Sequence, residues 1–304
     1  MICPINSFFS FIRANFAMNK IRRIMKKEYL SAPLPFVGQK RMFAAKFKEV
    51  LKQYPDNAVF VDLFGGSGLL SHITKHEKPG ARVIYNDFDN YRKRLENIGR
   101  TNALLAEIRE MTKDCKRDKR IPDDIKQAII ARISDEEKGG FVNYITLSAS
   151  LLFSMKYCLS LEELKKETFY NNVRKTGYPL CDDYLAGIEI TSCDYKVLFE
   201  KYKDIPRVVF LVDPPYLSTE VGTYNMYWKL SDYLDVLTVL CDAPFVYFTS
   251  NKSSIVELCD WIDRHKSIGN PFKGAEKLEF NAHMNYNASY TDIMLYKTGF
   301  KEAA

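Results

Sequence analysis

The tetrapeptide Asp213-Pro214-Pro215-Tyr216 constrains the fold of this chain more than any other feature. It follows the run 208–212, Val-Val-Phe-Leu-Val, which has the length and composition of a buried strand. Two successive prolines cannot continue a central strand, because neither has an N–H to donate and each fixes φ. The strand therefore ends at Asp213 and presents a carboxylate, a carbonyl without a ladder partner and an aromatic ring. In an open α/β sheet, ligands bind at the edge where such strands end.

These three groups suit chemistry on the exocyclic amino group of a flat base. Such a nitrogen is a weak nucleophile because its lone pair is delocalised into the ring. Two acceptors on its hydrogens would draw it toward sp³ geometry, and the Asp213 carboxylate and the Pro214 carbonyl can supply both. Tyr216 offers a ring on which an extruded base could stack. A simpler interpretation is a Pro-Pro turn in which Asp213 only caps the next helix.

A glycine-rich segment lies far upstream of the tetrapeptide. Apolar residues 58–61 lead into Asp62-Leu63-Phe64-Gly65-Gly66-Ser67-Gly68, which predicts a strand, a tight turn and the start of a helix. The glycines permit positive φ and let a ligand approach the backbone, and the first turn of a helix offers N–H groups to it. A dinucleotide-binding turn would share these features, but no glycine follows Gly68 at three residues as that fingerprint requires.

A second strand is predicted over residues 82–85, Arg-Val-Ile-Tyr, and it runs into Asn86-Asp87-Phe88-Asp89. An acid at this point, about 20 residues after a glycine turn, is placed to hold ribose hydroxyls. We therefore expect Asp87 to bind a ribose and Phe88 to cover an adenine face. For Asp89, a solvated acidic turn explains the residue equally well.

In this order, the three patterns resemble those of S-adenosyl-L-methionine-dependent DNA adenine-N6 methyltransferases of the Dam-type, the alpha or D12-like class. That class opens with an aromatic residue followed by Gly-Gly-Lys, and the segment 36–40, Phe-Val-Gly-Gln-Lys, stands in this place. Gln39 replaces the second glycine. An acid that precedes the catalytic motif is matched by Asp194, at the end of a third strand predicted within 188–195. The resemblance covers roughly residues 31 to 298.

The resemblance implies an α/β fold, a Rossmann-like methyltransferase sheet with a mainly helical inserted target-recognition region. It divides the chain into an N-terminal extension, 1–30, a catalytic domain, 31–90 and 188–304, and a target-recognition region, 91–187. Within that region, the polar stretch 170–178 contains side chains of the types that read base edges or phosphates. These are Asn171, Asn172, Arg174 and Lys175. A plain surface loop would have the same composition.

The resemblance also implies the cofactor, S-adenosyl-L-methionine, and the residues that bind it. Asp62 would meet the ammonium group directly or through water, Asp87 the ribose, and Asp194 the amino group of the cofactor's adenine. The whole implied set is Phe36, Gly38, Lys40, Asp62, Phe64, Gly66, Gly68, Asp87, Phe88 and Asp194. The tetrapeptide 213–216 would hold the target adenine, flipped from the duplex, for direct in-line transfer without a covalent intermediate or a metal.

Two other functions fit the same residues. An RNA adenine-N6 methyltransferase, acting for example on rRNA, would need only an accessible adenine. A catalytically inactive relative could keep the fold and bind nucleic acid alone. Asp213 argues against methylation of protein amides or guanine, which usually goes with Asn at this position, and against cytosine-N4 methylation, which usually goes with Ser.

Composition agrees with a nucleic-acid partner but does not require one. The chain has 44 Lys and Arg against 38 Asp and Glu, a formal net charge of +6, which suits double-stranded DNA. Its seven cysteines form no Cys-x-x-Cys pair, so we expect a cytoplasmic protein without a disulfide framework or zinc. The apolar stretch within residues 1–17 is too short to span a bilayer. A monomer with a separately acting restriction endonuclease is compatible with the resemblance.

His72 and His76 lie four residues apart on the helix predicted after the glycine turn. Two histidines at this spacing can share a metal ion, but the sequence offers no third ligand nearby. We therefore expect no metal site.

Overall fold

The computed structural model describes residues 27–153, 156–215, 230–241, 243–251, 253–264, 270–285 and 288–298. The chain forms two compact units. The sheet unit contains the described residues within 1–31, 40–89 and 183–304, and the helical unit contains residues 32–39 and 90–182. The segment 32–39 thus belongs with the helices. The assignment of residues 91–187 to target recognition stays a prediction.

The sheet unit confirms the expected α/β class. Its strands are β1 (Val59–Asp62), β2 (Arg82–Asn86), β3 (Glu189–Thr191), β4 (Val208–Val212), β5 (Phe245–Ser250), β6 (Glu276–Asn285) and β7 (Ala288–Lys297). They are ordered β3-β2-β1-β4-β5-β7-β6. The first five are parallel, whereas β7 is antiparallel to both β5 and β6. The parallel part has the Rossmann-like order, and the terminal hairpin adds the antiparallel edge.

The third strand is shorter than its prediction. It ends at Thr191, so Asp194 lies beyond the sheet, at the start of a helix. The physical reason is that the backbone of Cys193 is hydrogen-bonded to the side chain of Asn86 instead of continuing a ladder. β6 was not predicted at all.

The apolar run that precedes the tetrapeptide is buried on both faces of the sheet. Val208, Phe210 and Val212 pack into a core on one face, whereas Val209 and Leu211 pack into a core on the other. A strand covered on both faces has no solvent side and therefore no alternation of polar residues. Each such side chain stabilises the fold by roughly 1.5–3 kcal/mol.

Helices cover these two faces. A short 3₁₀ helix, Arg41–Phe43, leads into α1 (Ala44–Leu51), which packs on one face together with α2 (Leu69–Glu77). The helices on the other face are α8 (Tyr195–Tyr202), α9 (Leu230–Leu240) and α10 (Ile255–Arg264).

The helical unit contains α3 (Tyr91–Glu96), α4 (Ile98–Met111), α5 (Asp123–Lys138), α6 (Tyr144–Leu151) and α7 (Leu161–Lys166). Its helix starts follow the usual capping chemistry. Pro122 precedes α5, whose first turn carries two aspartates that complement the helix dipole. Asn143 and Ser160 cap α6 and α7 through their side-chain oxygens. Nowhere in the described ranges is a helix both long and apolar enough to cross a membrane.

Candidate active site

The register of the parallel strands brings three predicted carboxylates to one edge of the sheet. Asp62, the last residue of β1, lies opposite Tyr85 of β2 and Leu211 of β4. Asp87 and Asp213 each follow two residues beyond those partners. Because all three strands run in the same direction, their carboxyl ends form a common edge.

The glycine turn between β1 and α2 has a backbone that only glycine fits well. Gly66 and Gly68 have φ values of 50° and 71°, in the left-handed region. At Gly65, a Cβ atom would lie 2.2 Å from the Tyr85 ring. Gly68 is the N-cap of α2 and supplies no side-chain cap to its first N–H groups. This is the arrangement in which a helix start receives a ligand.

Asp62 is wholly buried beneath this turn. Its Oδ2 accepts a hydrogen bond from Ser71 Oγ at 2.7 Å. Its Oδ1 has no hydrogen-bond partner among the described residues. Burial raises the pKa of Asp62 to about 7, although the Ser71 hydroxyl and the backbone N–H groups of Phe64 and Ser71 act in the opposite direction. An incompletely satisfied buried carboxylate fits a cationic group such as the ammonium of S-adenosyl-L-methionine.

Asp87 is also buried and is positioned by Tyr85. The Tyr85 hydroxyl lies 2.9 Å from Asp87 Oδ1 and 2.8 Å from the Gly66 carbonyl, so its single proton is shared between two acceptors. One phenol therefore connects the predicted ribose-binding acid to the glycine turn. The adjacent Phe88 is half exposed, which leaves ring surface for a flat ligand.

Asn86 connects three loops at this edge, and sequence reasoning missed its role. Its Nδ2 donates to the carbonyls of Leu63 and Cys193, each at 2.9 Å. Its Oδ1 accepts from the Cys193 N–H at 3.1 Å. The side chain is 2% exposed. One amide thus fixes the turn after β1 and the turn after β3 relative to the end of β2.

Two other residues of the predicted cofactor site, Phe64 and Asp194, lie near α8. Phe64 packs against Tyr195, with 4.8 Å between the ring centroids. Asp194 is an exposed N-cap of α8, and its Oδ1 accepts from the Lys196 N–H at 2.8 Å. Asp194 is therefore a helix cap. Its role toward an adenine amino group stays a prediction.

Asp213 forms an ion pair with Lys40. The Lys40 ammonium lies 2.7 Å from Asp213 Oδ2, and both side chains are largely buried, with exposed fractions of 8% and 17%. Burial raises the pKa of Asp213, whereas the charge and hydrogen bond of Lys40 lower it. Lys40, which the resemblance assigned to the cofactor side, thus contacts the predicted catalytic carboxylate. Pro214 is buried and Pro215 half-buried; Tyr216 lies outside the described residues.

The other residues of the Gly-Lys motif belong to the helical unit. The Phe36 ring packs edge-on to Tyr91, with 5.7 Å between centroids. Gly38 has a φ of 76°, which explains why glycine is needed there. Gln39, the departure from the usual motif, closes the segment because its Oε1 accepts from the Ala32 N–H at 3.0 Å.

His72 does not pair with His76 as a metal ligand. His72 Nδ1 donates to the Tyr184 carbonyl at 2.7 Å, and Nε2 accepts from the Tyr29 N–H at 3.0 Å. Both ring nitrogens are used in the neutral form, and burial lowers the pKa of His72. His76 instead lies in a group with Glu28 and Glu77 whose ligand atoms are within 4.8 Å of one another.

A cation already occupies that group. The Lys48 ammonium contacts Glu28 and lies 3.0 Å from Glu77. It therefore compensates the charge that would attract a metal ion.

The sequence of residues 36–235 matches the profile of the D12 class of N6 adenine-specific DNA methyltransferases. The chain belongs to this class. The matched range contains the whole predicted site, from Phe36 to Tyr216. The D12 methyltransferase is also 36% identical over 284 residues to a protein of Haemophilus influenzae named "Putative methyltransferase", covering 90% of this chain and 94% of that protein.

Solved structures of other methyltransferases resemble the D12 methyltransferase only distantly. An rRNA methylase from Streptococcus thermophilus is 10% identical with a TM-score of 0.32, covering 85% of this chain and 96% of that one. A precorrin-6y C5,15-methyltransferase from Geobacter metallireducens is 10% identical with a TM-score of 0.34, covering 90% and 100%. These scores are too low to carry an argument about substrate.

Proposed function

We propose that this methyltransferase moves a methyl group from S-adenosyl-L-methionine to N6 of a flipped adenine at a specific site in double-stranded DNA. The observation that carries the proposal is the Asp213–Lys40 ion pair at the end of β4, next to the buried residue Pro214. The Asp213 carboxylate, a hydrogen-bond acceptor whose charge is paired with Lys40, therefore lies at the end of β4, on the same sheet edge as Asp62 and Asp87. Family membership supports the choice of adenine N6.

The residues for the cofactor fit its chemistry. Asp62 Oδ1 has no partner in the described part of the chain and would accept from the ammonium group. The turn 63–68, whose path is set by positive φ at Gly66 and Gly68, would meet the methionine part through its backbone, and Asp87 would accept from ribose hydroxyls. When bound, S-adenosyl-L-methionine supplies an electrophilic methyl group on a positively charged sulfur.

Asp213 would act on the target adenine as a hydrogen-bond acceptor. With the Pro214 carbonyl it would hold the two amino hydrogens and keep the nitrogen lone pair directed at the methyl group. The adenine must leave the base stack to reach this edge. Lys40 supports this role because its charge favours the ionised, accepting form of a buried carboxylate. Stacking of the base on Tyr216 stays a prediction.

We infer that the enzyme acts as a monomer on duplex DNA in the cytoplasm. A cognate restriction endonuclease would act separately on the same sequence.

The test is methyl transfer from labelled S-adenosyl-L-methionine to unmethylated genomic DNA, with total RNA in parallel, followed by nucleoside analysis. We expect N6-methyladenine in DNA. Asp213→Ala should lower the rate by about 10²–10³-fold without changing cofactor binding. Asp204→Ala, which removes an exposed carboxylate of the same unit, is the matched control.

Other outcomes would assign other functions. Label in RNA alone would identify an RNA adenine methyltransferase. Cofactor binding without transfer to either nucleic acid would contradict the proposal and point to a different substrate, whereas failure to bind the cofactor would favour an inactive nucleic-acid-binding relative. Near-normal turnover of Asp213→Ala would refute the role of the carboxylate.

A further inference from the structure

Tyr184 lies against the glycine turn between β1 and α2. It belongs to the sheet unit, and its side chain is wholly buried. The Tyr184 hydroxyl donates to the Ser67 carbonyl at 3.0 Å. The next residue also lies close to the turn, since a Cβ atom at Gly68 would be 3.0 Å from Leu185 Cδ2. A tyrosine more than a hundred positions away in the chain thus contacts the turn directly.

Side chains hold three carbonyls of this turn. These are the carbonyls of Leu63, Gly66 and Ser67, which are contacted by Asn86 Nδ2, the Tyr85 hydroxyl and the Tyr184 hydroxyl respectively. In a trans peptide, the C=O and the N–H point in opposite directions. A side chain that fixes the carbonyl of one residue therefore also fixes the direction of the next residue's N–H.

The peptide held by Tyr184 lies directly before α2. It joins Ser67 to Gly68, the N-cap of the helix. The Gly68 carbonyl accepts from the His72 N–H at 2.8 Å and so begins the helical bonding. Ligands at a helix start are met by the N–H groups of its first turn. The orientation of the Ser67–Gly68 peptide therefore affects how these groups are presented.

His72, in the first part of α2, holds the other end of Tyr184. His72 Nδ1 donates to the Tyr184 carbonyl at 2.7 Å. The two rings are stacked, with 4.9 Å between their centroids and an angle of 14° between their planes. Tyr184 is therefore attached to the turn through its hydroxyl and to the helix through its carbonyl and its ring.

The segment 27–29 packs over this pair of rings. The Tyr29 ring lies edge-on to both His72 and Tyr184, with 5.1 Å between centroids in each case. The Tyr29 hydroxyl donates to Asp183 Oδ1 at 3.0 Å, and the Lys27 N–H donates to Asp183 Oδ2 at 3.2 Å. The residue before Tyr184 is thereby fixed as well. Tyr184 is thus held at a defined position before any ligand binds.

We propose that Tyr184 is a positioning residue for the cofactor, which holds the glycine turn, through the Ser67 carbonyl, in the conformation that binds the methionine part of S-adenosyl-L-methionine. The inference rests on the proposed function for the identity of the cofactor. A site that is ordered in advance binds more tightly, because less conformational freedom is lost on binding. Without the Tyr184 hydroxyl, the Ser67–Gly68 peptide would be freer to rotate, and the cofactor would have to order it.

The test compares Tyr184→Phe with Tyr54→Phe in the full chain. Each change removes one hydroxyl from a buried ring and keeps the ring. The Tyr54 hydroxyl also donates to a backbone carbonyl at 3.0 Å, that of Phe245. Phe245 begins β5 and so lies at the opposite edge of the sheet from the glycine turn. Tyr54→Phe is therefore the matched control.

Isothermal titration calorimetry measures the Kd of S-adenosyl-L-methionine, and urea unfolding measures the stability of each variant. We expect Tyr184→Phe to raise this Kd by about 3–10-fold, the equivalent of one lost hydrogen bond. Tyr54→Phe should keep the wild-type Kd, although it also loses stability. A wild-type Kd in Tyr184→Phe would overturn the proposal. An equal rise of Kd in both variants would also overturn it, because a general loss of stability would then explain the weaker binding.

Hydrogen exchange tests the turn itself, without the cofactor. The backbone amides of residues 64–70, followed by mass spectrometry, should exchange faster in Tyr184→Phe than in the wild type. In Tyr54→Phe they should exchange at the wild-type rate. Unchanged exchange of this segment in Tyr184→Phe would show that the hydroxyl does not hold the turn, and the proposal would be wrong.

Methyl transfer separates this inference from the proposed function. Wild-type protein that forms N6-methyladenine in DNA, together with a wild-type Kd in Tyr184→Phe, would refute the inference alone. The expected difference in Kd between the two variants, without transfer to DNA by the wild type, would refute the proposed function alone. Wild-type protein that does not bind S-adenosyl-L-methionine would refute both.

Discussion

Asp62→Asn should make the folded state less sensitive to alkaline pH. The wild-type carboxyl group is wholly buried, and its pKa is raised from 3.8 to about 7. The folded protein therefore binds this proton more tightly than the unfolded chain does. Its contribution to stability is fully present below pH 3.8 and is lost as the pH rises toward 7. The asparagine side chain has no charge to bury, so the variant escapes this loss.

The magnitude follows from the two pKa values. Their difference corresponds to about 4 kcal/mol between the acid and alkaline limits. Between pH 5 and pH 8.5, the wild type should lose about 3 kcal/mol more than Asp62→Asn in free energy of unfolding. Any constant cost of the amide, such as an unpaired N–H, cancels in this comparison.

Urea unfolding at both pH values measures the difference. Asp204→Asn, an exposed aspartate in the same unit, is the control and should differ from the wild type equally at both. If the gap between Asp62→Asn and the wild type is the same at pH 5 and pH 8.5, the carboxylate is not buried as described. At pH 8.5, S-adenosyl-L-methionine should stabilise the wild type more than the variant, because only the wild type offers the ammonium a charge.

Three further predictions concern neighbouring residues. Gly65→Ala should destabilise the fold by about 1–3 kcal/mol because its Cβ would overlap the Tyr85 ring. Gly99→Ala is the control and should be neutral or stabilising, because nothing lies within 4 Å of its added Cβ. Denaturant titration measures both variants, and an equal loss of stability at the two sites would contradict the packing argument. Lys40→Met should move the acid limb of the kcat–pH profile to higher pH, because the variant lacks the Lys40 charge that lowers the pKa of Asp213. An acid limb at the wild-type pH would mean that ionisation of Asp213 does not limit the rate. Burial lowers the pKa of His72, so the contribution of its neutral ring to folding stability is present above pH 6.5 and is lost as the pH falls below that value. Thermal unfolding of the wild type should show this loss, and thermal unfolding of His72→Gln should not. Identical pH dependence of the two proteins would show that His72 is not buried in its neutral form.

The positions of several candidate site residues were predictable because local rules place them. Consecutive prolines must end β4 at Asp213, and glycines with positive φ must follow β1. Acids that follow parallel strands must share an edge, whatever the rest of the chain does. Asp62, Asp87 and Asp213 obey these rules.

Other residues of the site depend on partners distant in the chain. Asn86 carries no local signal, yet it is bonded to residues 23 and 107 positions away. Tyr85 looked like an ordinary strand residue, although its hydroxyl connects the glycine turn to Asp87. Asp194 looked like the end of a strand, but backbone bonding of Cys193 to Asn86 ended β3 earlier.

The sequence by itself determined the sheet class, the strand that ends at Asp213, and the glycine turn, because proline geometry, glycine φ and apolar runs act over a few residues. Only the tertiary structure decided that Lys40 pairs with Asp213 across 173 positions of the chain, that Asp62 Oδ1 has no hydrogen-bond partner among the described residues, and that segments 116–121 and 169–175 are joined by backbone hydrogen bonds. Ion pairs, burial and cross-segment hydrogen bonds depend on which surfaces the fold brings together, and that information is spread over the whole chain.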